Sequence, residues 1–89
     1  MQTYVILSRF APTAYRDPSE IKDLAHNVKE QIRKRCPEVE WRESFATTGS
    51  VDVVDIVHAS DRHQVEQAAR LIQAYGHCTT TLLPATPWK

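Results

Sequence analysis

The sequence predicts an α+β sandwich, ferredoxin-like in its βαββαβ order, with one antiparallel sheet in the strand order 4-1-3-2 and both helices on one face. Three observations predict it. Four apolar runs of strand length are interspersed with two stretches of helical periodicity. Gly49-Ser50 separates the two middle runs at hairpin distance. The two helical stretches fall where right-handed crossovers return the chain across the same face of one sheet.

The first run, "TYVILSRF" at 3–10, is rich in β-branched and aromatic residues and is followed by the turn-rich "APTAYRDP". A strand is predicted there. In "DPSE", Asp17 suits a helix cap, Pro18 the first helical position and Glu20 a capping box. Ile21, Leu24, Ala25, Val28 and Ile32 then form one apolar stripe, and Pro37 stops the helix near Cys36. "EVEWRESFATT" alternates imperfectly and reads as a second, more exposed strand. A type II′ turn at Gly49-Ser50 leads to strand three at 51–59. Ser60 or Asp61 caps a second helix, whose buried stripe is Val65, Ala68, Ala69 and Ile72 and whose end is marked by Gly76. "HCTTTLL" is the fourth strand, closed by Pro84. Residues 83–89 form a short tail, whose Trp88 is expected to leave water.

Residues 1–89 are read as one domain without an internal boundary. A chain of this size buries roughly 60–65% of its unfolded surface, enough for a single small core, and self-association is a reasonable expectation. With 11 basic and 11 acidic residues, no cationic excess is available for a phosphate backbone, which argues against nucleic acid as the partner. No apolar run approaches the roughly 20 residues of a membrane span. "MQTYVILSRF" lacks the basic start and long apolar middle of a secretory signal, so a cytoplasmic protein is expected.

The stretch "TTGSVDVVDIVHASD" holds two carboxylates, Asp52 and Asp55, in an otherwise apolar strand. Alternation puts them on opposite faces, so they cannot form a paired acid/base site. Asp52, with Val54 and Ile56, is assigned to the helix-covered face, near the turn, as an acceptor for groups around Thr47 to Ser50. Phe45, Trp41, Val5 and Leu7 are assigned to the same layer. Asp55 is assigned to the open face with Val51, Val53 and Val57. A turn at Gly49-Ser50 sets Ser44 opposite Asp55, with Arg42 within diagonal reach. Tyr4, Ile6 and Ser8 of strand one, Ala46 of strand two, and Thr79 and Thr81 of strand four join that open face. So apolar a surface calls for a cover, and a second copy of the chain is the simplest one. Arg42 and Asp55 are then either a structural pair inside a dimer interface or the polar end of a ligand cavity between two sheets. The candidate ligand-binding set is Asp55, Arg42, Ser44, Tyr4, Ser8, His77, Thr79 and Thr81.

Gly49, Asp52, Asp61, Gly76 and "TTTL" at 79–82 follow a recognisable layout. It resembles that of the GYD family, small proteins of the dimeric α/β-barrel type with a ferredoxin-like fold. Val51 stands where that family's tyrosine is expected, and Asp55 interrupts a run that is normally apolar. The resemblance implies no established reaction. Related barrels include monooxygenases, isomerases and ligand-sensing domains, an analogy between folds.

Other chemistry is sparse. His26 and His63 are read as solvated. His58 and His77 fall at opposite ends of the sheet and cannot share a metal within one chain; no metal site and no catalytic residue is assigned. Cys36 and Cys78 lie at opposite edges, on the order of 20 Å apart, far beyond disulfide reach, and are read as free thiols. "VKEQIRKR" at 28–35, with acidic neighbours, is a solvated helix face.

The function expected from these residues is a small-molecule-binding or interaction module that dimerises through its sheet face, with no cofactor and no catalysis of its own. One alternative is a cofactor-independent enzyme, monooxygenase- or isomerase-like, acting on a small organic substrate in the barrel cavity. Another is a purely structural oligomerising protein.

Overall fold

A computed structural model describes residues 1–11 and 18–88; in Pro18, Ser19 and Ile21 the backbone alone is described. The proposed cap at Asp17 lies outside these residues. The element order is β1 (Gln2–Phe10), α1 (Pro18–Arg35), β2 (Glu40–Ala46), β3 (Val53–Ala59), α2 (Arg62–Gly76) and β4 (Cys78–Ala85). The four strands form one antiparallel sheet in the order β2-β3-β1-β4, as predicted. No described helix is long and apolar enough to cross a membrane.

The local signals act where the sequence places them. Asp61 caps α2, its carboxylate accepting from the His63 N–H at 2.9 Å. Val65, Ala68, Ala69 and Ile72 are all buried, joined by Leu71. On α1, Val28 and Ile32 are buried and Leu24 partly so, but Ala25 is exposed. The α1 helix leans on α2 rather than lying flat on the sheet. Arg33, Lys34 and Arg35 crowd its last turn, where cations suit the helix dipole, and Arg33 meets Glu30 at 3.4 Å.

Three expectations resolve differently. Gly76 remains inside α2, and the left-handed position is taken by His77, with φ 50°. The room is wanted at Gly76: a Cβ there would stand 3.2 Å from Cys78 Sγ. Pro84 does not end β4 but sits within it, opposite Tyr4. It is tolerated because β4 is an edge strand. Trp88 stays in water at 96% exposed.

The β2–β3 register follows the prediction, with Ser44 opposite Asp55 and Phe45 opposite Val54. The turn is wider than two residues. The last backbone bond across it runs from Thr47 N–H to the Asp52 carbonyl at 2.9 Å, and Gly49 supplies the positive φ of 118°.

The assignment of faces, however, is reversed for β1, β3 and Phe45; Trp41 lies on the helix side as expected. Tyr4, Ile6, Ser8, Asp55, Val57 and Ala59 are buried beneath the helices. Val5, Leu7, Val54 and Ile56 occupy the uncovered side together with Phe45, Thr81 and Leu83. Both faces of β1 and β3 are apolar, so alternation alone could not say which one the helices cover. The helices take the set that continues into Ala59, where the small side chain and the neighbouring Val57 are both fully buried.

Candidate functional site

Asp55 lies mid-strand in β3 on the helix-covered side and is 6% exposed. A carboxylate so placed must be partnered. Ser44, opposite on β2, donates its hydroxyl to Oδ1 at 2.5 Å, and Trp41 donates its indole N–H to the same oxygen at 3.2 Å. Ser44 and Trp41 are three residues apart and would face opposite ways on a regular strand. A register shift between Trp41 and Glu43 makes Arg42 an extra residue, a β-bulge that turns Trp41 back to the side of Ser44. The predicted Arg42–Asp55 pair is therefore absent, and Arg42 contacts Glu40 at the exposed edge.

Burial pushes the Asp55 carboxyl above the ordinary aspartate range, while the bonds from Ser44 and Trp41, and then the charge of Lys29, draw it partly back. Oδ2 carries no hydrogen bond among the described residues. Ser8 lies diagonally across the β1–β3 ladder on the same side. It is 2% exposed, and its hydroxyl oxygen likewise has no partner among the described residues.

Ser8, Ser44 and Asp55 line one half-open cavity of about 80 Å³ between α1 and the sheet. Phe10, Leu24, Val28, Trp41, Val53 and Ile72 make its walls apolar, and Lys29 stands along one side. It is smaller than the roughly 300–1,000 Å³ of drug-sized pockets. A neighbouring recess of about 300 Å³ shares Trp41 and Lys29, but its charged lining comes from the exposed Lys29 and Arg33.

Of the eight candidate residues, the cavity gathers Asp55, Ser44 and Ser8. Tyr4 is a core residue, 5% exposed. Thr81 faces the open side, paired with Leu7. Exposed Thr79 and His77 border a separate recess beside Arg9 and Cys78. Trp41 and Lys29 were not singled out for the site. The sequence assigns Trp41 to the helix side, where it does lie, but puts Asp55 on the other face, and Lys29 reads as one charge among many on a solvated helix. Among the described residues, no three His, Cys, Asp or Glu side chains group as metal ligands. Cys36 and Cys78 are free thiols, and burial raises both. Asp52 accepts from the Phe10 N–H at 2.8 Å, which ties β3 to the end of β1, a structural role with a different partner from the one expected.

A family model, the GYD domain, matches residues 4–89. No curated protein matches the chain significantly. Among solved structures, the leucine response regulatory protein LrpA of Mycobacterium tuberculosis superposes with a TM-score of 0.60 at 15% identity, over 99% of this chain and 53% of that one. The chain thus spans about half the length of that regulator. The Arabidopsis thaliana protein At3g17210 superposes with a TM-score of 0.61 at 10% identity, over 100% of this chain and 97% of that one. At such identities the likeness is one of fold.

Proposed function

The chain belongs to the GYD domain family, and on that footing we propose that it is a small-molecule-binding module whose ligand occupies the cavity under α1 and whose open sheet face pairs with a second copy. One observation carries the ligand reading: the buried Ser8 hydroxyl, without a partner among the described residues, borders the same apolar cavity as Asp55, whose Oδ2 carries no hydrogen bond among them. An unmet buried hydroxyl such as that of Ser8 costs about 1–3 kcal/mol, which a ligand can recover. Pairing of sheet faces is supported by the apolar rows of the open side, in which Phe45 is 48% and Leu83 43% exposed.

A second reading, an enzyme without a cofactor acting on the same ligand, is favoured by the placement of Asp55. A carboxyl raised by burial beside a ligand cavity is suited to exchanging a proton.

Native mass spectrometry of freshly purified protein tests both parts of the proposal. The expected result is a dimer carrying a dissociable small molecule. A monomer at micromolar concentration would refute the pairing. Protein that is repeatedly ligand-free, and that no small-molecule library stabilises, would refute the binding.

A further inference from the structure

We propose that the cavity under α1 is built for a small, neutral, largely apolar molecule bearing one hydroxyl group, an alcohol or a phenol, whose hydroxyl is held between Asp55 and Ser8. This rests on the reading that the cavity binds a ligand, and it names the chemistry of that ligand.

Two vacant hydrogen-bonding positions define the head group. Asp55 Oδ2 is an acceptor without a donor among the described residues. Ser8 Oγ is both donor and acceptor, and unpartnered among them. A hydroxyl answers both at once, giving its hydrogen to Oδ2 and accepting the hydrogen of Ser8. An ether answers Ser8 alone.

Charge argues for a neutral head. A carboxylate ligand would be driven against Asp55. An ammonium would give up its hydration in an apolar chamber that already has Lys29 along one side. Size sets the body. The cavity of about 80 Å³ is near half of the roughly 150 Å³ that admits benzene in an engineered protein core. It is open on one side, so a single ring seats with part of its edge in the mouth.

The test is a titration followed by two-dimensional NMR, reading the Trp41 indole N–H and the Ser8 and Val53 amides, with phenol, toluene, benzoate and benzylamine as probes. Phenol is expected to bind about tenfold or more tighter than toluene. Ser8→Ala should lower phenol affinity by about tenfold and leave toluene within about twofold. Toluene binding as well as phenol, at the same signals, would overturn the hydroxyl assignment and leave the cavity reading standing. So would a preference for benzoate or benzylamine, or a Ser8→Ala variant that binds phenol normally. If no probe moves the cavity signals, the binding reading fails and this inference with it.

Discussion

Trp41 donates its indole N–H to Asp55 Oδ1 over 3.2 Å, and it can do so because Arg42 is an extra residue in β2. The bulge thus decides what the carboxylate meets. A regular strand would point Trp41 away and leave Asp55 with Ser44 alone.

Trp41→Phe keeps most of the ring's packing and removes the donor. We expect a loss of about 1–3 kcal/mol in urea unfolding at neutral pH, the usual cost of removing a bond to a charged buried group. A loss below about 0.3 kcal/mol would mean that Asp55 is held by other means.

Asp55 sets a pH dependence of definite sign. Its carboxyl is raised in the folded chain, by burial first, so the folded state holds the proton more tightly than the unfolded state. Its contribution to stability is full below the unfolded value of about 3.9 and is lost as pH rises through the higher folded value. The groups around it act against this shift: Ser44, Trp41 and the more distant Lys29 all lower it. Asp55→Asn abolishes the effect. Denaturation of both proteins across pH 3 to 8 should show the wild type losing ground to the variant as pH rises. Parallel curves would place the group at its ordinary value.

Phe45→Lys tests the open face. Phe45 is already 48% exposed, so the subunit should stay folded by circular dichroism while light scattering reports monomer. Retention of the native oligomer would show that association uses another surface. Val53→Lys serves a different purpose. Val53 borders the cavity beneath α1, so a lysine there should unfold the subunit or block the chamber.

His77 holds a left-handed φ of 50° immediately after α2. Glycine takes that conformation without steric cost, so His77→Gly should raise stability by about 0.5–1 kcal/mol, read as a higher melting temperature. An unchanged or lower value would show that the imidazole compensates for the backbone.

The order of elements, the strand pairing and the stripe of α2 were legible because each rests on local signals: Asp61 before a periodic run, Gly49 at a turn, and Val65, Ala68, Ala69 and Ile72 at helical spacing. The opposition of Ser44 and Asp55 was legible for the same reason. Which side of the sheet the helices cover was not. Tyr4 and Ile6 compete with Val5 and Leu7 on equal hydrophobic terms, and only the packing of α2 breaks the tie. Nor was the environment of Asp55 legible. A bulge leaves no mark in the residue pattern of "EWRES", yet it exchanges Arg42 for Trp41 as the neighbour of the carboxylate. The cavity itself depends on how far α1 stands from the strands, a distance set by tertiary contact alone.

The two margins of the sheet have a consequence for how copies can aggregate. On one flank Pro84 offers no N–H to an incoming strand. On the other, Glu40, Arg42 and Glu43 present charge, and the bulge bends the line an added strand would have to follow. Ribbon-like growth by strand addition is hindered at both ends, so concentrated solutions should resist fibril formation even though half of the sheet is greasy.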